Sequence, residues 1–332
     1  MKDDRKHRQG LQSCGRMFML ALLLTGGLLS SCTQDELADN QGEPLPPGQY
    51  PLELTAGGLQ AVATPAQTST RGTVDGDWDD VQSVMVQDGE KASKAYNVTV
   101  KEDKKTATLS CKDPFWWTST GESKDVRAWY SPNKEMYQKK MPTTGDSWTV
   151  ATGQSVETFK SDDFLYAYKK LNFNDNNKSL EFNHLLSKII INIEETTYLG
   201  KFKPEEISVS LEDFSIEGLF ENKDNLLTLV ENPDKDKQIV TPFRLTDNAY
   251  AASFEALVIP QDIRNTERYI KVKVGEAVYS WKITDETISA FSGGHLYTYN
   301  VKVNEQGLDV TVEEESIGWN TGKTGNGEVE VS

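Results

Sequence analysis

The sequence contains no long hydrophobic run. Its apolar stretch Met17–Leu29 is thirteen residues, interrupted by Thr25, Gly26 and Gly27, and a membrane-spanning helix needs roughly 20. Cysteine is scarce: only Cys14, Cys32 and Cys111 are present. So few thiols supply no disulfide framework, and any core must hold by packing. Histidine is equally scarce, at His7, His184 and His295. No Gly-x-Ser-x-Gly, His-Glu-x-x-His or phosphate-loop motif occurs. His184 adjoins an apolar strand pattern and His295 follows Gly293-Gly294, which suits structural roles. The run Asp75-Gly76-Asp77-Trp78-Asp79 opens like a calcium loop, but Asp80 stands where that loop needs Gly and Val86 where it needs Glu. The sequence thus names no catalytic, cofactor-binding or metal-binding residue and reads as a non-enzyme. Basic charge is short as well: 35 Lys+Arg against 51 Asp+Glu give −16. Such a surface repels phosphate backbones and argues against nucleic acid as a partner.

What is present begins with a cationic leader carrying Lys2, Arg5, Lys6, Arg8 and Arg16, then the short apolar centre, then small residues before Cys32. This is the layout of an export signal. Leu29-Ser30-Ser31-Cys32 resembles a bacterial lipobox, in which the cysteine is acylated on sulfur and becomes the new N-terminus. The competing reading is an ordinary signal peptide beside an incidental cysteine. On the lipobox reading residues 1–31 are a lipoprotein signal peptide and Cys32 is the lipidation site. Several acyl chains, palmitate among them, at about 0.8 kcal/mol per buried CH₂ would hold the protein in the outer membrane. The chain from Cys32 onward keeps 30 basic and 49 acidic residues, a net charge of −19. Residues 32–49, polar and ending in Pro44, Pro46, Pro47 and Gly48, read as a flexible tether. Gln34, Asp35 and Glu36 also resemble a surface-export signal of Gram-negative gut bacteria; a plain solvated linker is the alternative.

Beyond the tether the pattern is strand after strand. Leu52 and Leu54 alternate within Tyr50–Ala56. After a slack stretch of small and polar residues, Val81–Gln87, Tyr96–Val100, Thr106–Cys111, Val126–Tyr130 and Phe164–Tyr168 alternate with period two between turn-forming clusters. No window shows an i, i+3, i+4, i+7 apolar stripe. The turn-rich Asn172–Lys178 suggests a boundary, giving an N-terminal β-sandwich domain over 50–175 and a C-terminal one over 176–332. In the second, Ile189, Ile191 and Ile193 form an inward face, with Asn192 and Glu194 facing out. Further strands are expected at Ile207–Leu211, Phe254–Ile259, Ile270–Val274, Ala277–Ile283, Leu296–Val303 and Leu308–Val312. The fold class is all-β, two antiparallel sandwiches in series. Cys111 reads as a small buried residue.

An ordered set of motifs then resembles the fimbrillin family, lipoprotein pilus subunits of Gram-negative gut and oral bacteria. It comprises the lipobox, the slack loop with Thr70-Arg71-Gly72, Trp78 before the strand Val81–Val86, and Asp162-Asp163-Phe164-Leu165-Tyr166-Ala167. It continues with Leu180-x-Phe182-x-His184-x-x-Ser187-Lys188 and Ala256-Leu257-Val258-Ile259-Pro260-Gln261. Ser292-Gly293-Gly294-x-x-Tyr297-x-Tyr299-x-Val301 and Ile317-x-Trp319 complete it. The resemblance implies transthyretin-like sandwiches, a cell-surface fimbrium, and assembly with other pilus subunits by donor-strand exchange. On that model the strand Tyr50–Ala56 fills a groove until a maturation protease cuts between Arg71 and Gly72. Arg71 is the only arginine between Cys32 and Arg127, and its neighbours are small and polar, a composition easily nicked.

One departure stands out. A stalk subunit carries its own donor strand, and after Trp319 this sequence offers Asn320–Ser332, with only Val329 and Val331 alternating between glutamates. A tip or accessory subunit, with a host protein or glycan as ligand, is then competitive with a stalk. So is a glycan-binding surface lipoprotein that does not polymerise, since Trp116, Trp117 and Trp148 could stack on sugars if exposed.

Overall fold

A computed structural model describes residues 42–58, 78–79, 81–132, 135–246, 249–264, 266–284 and 288–315, with backbone alone at 314–315, 325–326 and 329–331. Cys32, Arg71, Gly72, Asp75 and Asp77 lie outside the described residues. The strands open with β1 (Leu54–Gly57), β2 (Ser83–Asp88), β3 (Lys94–Val100), β4 (Ala107–Ser110) and β5 (Ser123–Tyr130). Next come β6 (Ser147–Thr149), the helix α1 (Val156–Asp162), β7 (Leu165–Asn172), β8 (Ser179–Glu181) and β9 (Asn183–His184). Then follow β10 (Ser187–Ile193), β11 (Ile207–Phe214), β12 (Glu217–Lys223), β13 (Leu226–Glu231), β14 (Gln238–Val240) and β15 (Phe243–Leu245). After these are β16 (Ala252–Val258), β17 (Gln261–Asp262), β18 (Tyr269–Val274), β19 (Ala277–Lys282) and β20 (Ala290–Phe291). The last are β21 (Leu296–Asn304), β22 (Gly307–Glu315), β23 (Gly325–Asn326) and β24 (Val329–Val331). Among the described residues the fold is all-β apart from short helical turns, as the period-two alternation predicts.

One sheet of eight strands runs β8-β1-β4-β3-β2-β5-β7-β9. A six-stranded sheet, β15-β16-β10-β21-β22-β23, and a five-stranded sheet, β14-β11-β18-β19-β24, share a core of Ile189, Ile191, Ile193, Val209, Val272 and Tyr299 among others. That is the two-layer solution by which sheets with one apolar face bury it. A three-stranded sheet, β13-β12-β6, draws β6 from before the Asn172–Lys178 turn and β12 from after it. Likewise β8 and β9, which follow that turn, belong to the eight-stranded sheet.

Three details depart from the sequence reading. Asn192, expected outward, is buried, its amide donating to Asn300 Oδ1 at 3.0 Å and its oxygen accepting from Ser253 Oγ at 3.1 Å. Strand β10 is buried along its whole length, and on Asn192's face the flanking strands β16 and β21 supply its polar partners, Ser253 and Asn300. Second, Ser155 and Thr158 form a capping box that starts α1, whose seven residues are too few to display an apolar stripe. Third, Glu43 and Leu45, within the expected tether, are hydrogen-bonded: Thr120 N donates to Glu43 O and Leu45 N to Thr118 O, both at 2.9 Å. Leu45 packs against the first core, which gives this stretch an apolar contact a solvated spacer would lack.

Candidate functional site

The first strand sits in a slot. Its apolar positions alternate, so one face of an extended chain carries Leu52, Leu54 and Ala56. All three are buried, packed with Val84, Val86, Tyr96 and Leu109. The slot's walls are backbone. On one side β1 pairs antiparallel with β4, matching Leu54 to Leu109 and Ala56 to Ala107. On the other it pairs parallel with β8, matching Thr55 to Ser179 and Gly57 to Glu181. Upstream, Leu52 N donates to Phe115 O at 2.7 Å and Trp117 N to Tyr50 O at 2.9 Å. Among the described residues β8 has no strand partner other than β1. Withdrawing β1 would therefore open the β4 edge and unpair β8 together.

The exit from the slot is built for close approach. Gly58 has φ of +89°, and a Cβ there would lie 2.5 Å from Phe182 O and 2.6 Å from Phe182 N. Only glycine satisfies both that dihedral and that distance. Arg71 and Gly72 follow in sequence, outside the described residues. Tyr96 forms part of the slot's floor; its hydroxyl accepts from Phe115 N at 3.2 Å, and burial pushes the phenol up to about 12. Beside it Lys124, buried, is ion-paired with Asp88 at 3.1 Å and lies 5.1 Å from the Trp117 ring centroid. A cleft of about 850 Å³ opens along the N-terminal half of β1, lined by Leu52, Leu54, Leu109, Cys111, Trp116 and Lys178 among others. Cys111 is half-buried rather than buried, its thiol donating to Asp113 O at 3.3 Å.

The other candidates scatter. Trp117 and Trp148 are buried, Trp148 against Tyr137, Phe164 and Phe220, while Trp116 is half-buried. The three do not form one exposed aromatic platform. His184 is buried with its Nδ1 3.0 Å from Asp163 Oδ1, and His295 stacks on Tyr297. Among the described residues no three His, Cys, Asp or Glu side chains are placed to hold a metal ion. Sequence reasoning found Tyr50–Ala56 but missed β8, the parallel partner, because a pairing across more than a hundred residues leaves no local period. It also missed the β12–β13 hairpin. Asp224 and Asn225, with φ of 53° and 66°, make the two-residue turn whose side chains could have marked it.

A family model described as fimbrillin-like matches residues 70–319. Among solved structures, a candidate cell adhesion protein from Bacteroides uniformis shares the fold with TM-score 0.58 at 15% identity, over 82% of this chain and 99% of that one. A second, from Bacteroides ovatus, gives TM-score 0.52 at 15% identity, over 85% of this chain and 97% of that one. No curated protein sequence matches the chain.

Proposed function

Because the chain belongs to the fimbrillin-like family, we propose that it is a tip or accessory fimbrial subunit whose first strand is a removable plug. In this reading the lipid on Cys32 carries the protein to the outer membrane and the cell surface. An extracellular protease then cuts between Arg71 and Gly72, β1 leaves, and a strand from another subunit takes its place between β4 and β8. The observation that carries the reading is the position of β1: an interior strand of its sheet and, among the described residues, the sole strand partner of β8. An emptied slot presents unpaired N–H and C=O groups, which template an incoming strand. No helix among the described residues is long and apolar enough to cross a membrane; the anchor proposed here rests on the lipobox resemblance at Cys32. The closing strand β24 is engaged on β19, matching Val329 to Trp281 and Val331 to Tyr279. In this reading β24 stays in its own sheet and the chain receives a strand rather than donating one. The glycan-binding alternative needs an open aromatic face, and the burial of Trp117 and Trp148 weighs against it.

The test is assembly on a native gel. Wild-type protein cut by a trypsin-like protease should shift to larger species with partner subunits from the same surface. Arg71→Ala should stay monomeric under the same treatment. Cut protein that remains monomeric and takes up no strand would overturn strand exchange and return the chain to a standing surface lipoprotein.

A further inference from the structure

A second open strand edge lies far in sequence from the plug. Strand β13 pairs only with β12 among the described residues. The two-residue turn Asp224-Asn225 makes Lys223 and Leu226 the closing pair, so the hydrogen-bonded positions alternate from there. Leu226, Thr228 and Val230 bond to β12, whereas Leu227, Leu229 and Glu231 direct their N–H and C=O to the other side. That side is a cleft of about 800 Å³ whose remaining walls include Tyr166, His184, Gln261 and Phe291. Its volume falls within the range of about 300–1,000 Å³ typical of ligand sites. At the mouth Leu226 is 62% exposed, one of the few large apolar side chains left in water.

The frame around this edge is rigid. Tyr166 Oη donates to Asn225 O at 2.7 Å, and burial pushes that phenol well above its ordinary value, so it stays a donor. Arg127 also holds the Asn225 side chain, with Nε 3.1 Å from Oδ1. Arg268, itself buried, donates from Nε to Gln261 Oε1 and from Nη2 to Glu231 Oε1, each at 2.9 Å. Both ends of β13 are thus pinned while its outer edge stays unpaired.

Charge selects the occupant. The lining includes Glu181, Asp224, Glu231 and Asp262 and no lysine or arginine. Glu231 and Asp262 are compensated by Arg268 and Arg264, but Glu181 and Asp224 are exposed and without an ion-pair partner among the described residues. A second copy of this chain, at net charge −16, is repelled from such a mouth. We infer that the cleft beside β13 is a peptide-binding site that takes an extended segment of another protein, apolar and basic in alternation, as an added strand. Backbone pairing with Leu227, Leu229 and Glu231 gives register, and Glu181 and Asp224 give preference for cationic side chains. The cleft shares Glu181 of β8 with the wall of the β1 slot, but its open edge is that of β13 and is available with the plug in place.

The experiment uses the full uncut chain with β1 in place. The probe is a nine-residue peptide alternating valine and lysine, its counterpart alternates valine and glutamate, and binding is read by amide hydrogen exchange and titration. The valine–lysine peptide should protect the amides of Leu227, Leu229 and Glu231, leave those of Ala107–Leu109 unchanged, and bind about tenfold or more tightly than its counterpart. N-methylation of its alternate residues in one phase should abolish binding, and in the other phase should not. Glu181→Gln with Asp224→Asn should erase most of the charge preference without moving the unfolding midpoint, since asparagine tolerates the left-handed turn at 224. Absence of protection at 227–231, equal binding of the two peptides, or indifference to N-methylation would each overturn the proposal. So would self-association that protects the same amides with no peptide added.

Discussion

Cleavage after Arg71, followed by removal of the released segment, should strip the protein of most of its stability. Leu52 and Leu54 are buried, and each is worth about 1.5–3 kcal/mol. The hydrogen bonds of β1 to β4 and β8, and of residues 43–52 to 115–120, add about 1 kcal/mol net apiece. The loss is on the order of 10 kcal/mol, comparable with the 5–15 kcal/mol that holds a typical domain together. Cut and stripped protein should therefore unfold at much lower urea, or aggregate. Adding a peptide of the sequence Tyr50–Gly58 should move the midpoint back toward that of uncut protein. An unchanged midpoint after stripping would mean that β1 contributes little to the sheet it lies in. Proteolysis alone, with the segment retained, should change little, because the contacts survive the cut.

The largest single-residue effect is expected at Lys188. Its ammonium lies 2.9 Å from Glu255 Oε2, with side chains only 6% and 3% exposed. The two sit diagonally on β10 and β16, whose register pairs Lys188 with Leu257 and Ile190 with Glu255. Lys188→Ala would leave a buried carboxylate short of its cation, a loss of about 3–5 kcal/mol. At about 2–4 °C per kcal/mol for a chain of this size, the melting temperature should fall by on the order of 10 °C. The double variant Lys188→Met, Glu255→Leu should recover most of that loss, since an apolar pair of similar volume avoids burying charge. A single variant that melts within about 2 °C of wild type would contradict this reading of the pair.

Much of this fold is legible in the sequence. Strands such as β2, β5 and β21 announce themselves by period two, and β1 by Leu52, Leu54 and Ala56. Local pattern failed where the cause is not local. Asn192 looks solvent-facing because it alternates with Ile191 and Ile193, yet its strand is buried throughout and its amide is satisfied by Asn300 and Ser253 on the two flanking strands. Strand β8 is three residues long and carries too few positions for a period; only its parallel register to β1 reveals its role. Strands β12 and β13 carry a polar turn without glycine, and Asp224 and Asn225 supply the positive φ that glycine usually does. The expectations at Arg71 and Cys32, which lie outside the described residues, are of a different kind. Their signals are chemical, a basic residue in an easily nicked stretch and a thiol after small residues, and owe nothing to tertiary contacts.

In the proposed reading the first strand departs when the subunit joins a fimbria. N-terminal sequencing of the subunit extracted from surface-assembled fimbriae tests this most directly. The expected first residue is Gly72, with no acylated peptide remaining on the assembled chain. A start at Cys32, still carrying its lipid in the polymer, would contradict it.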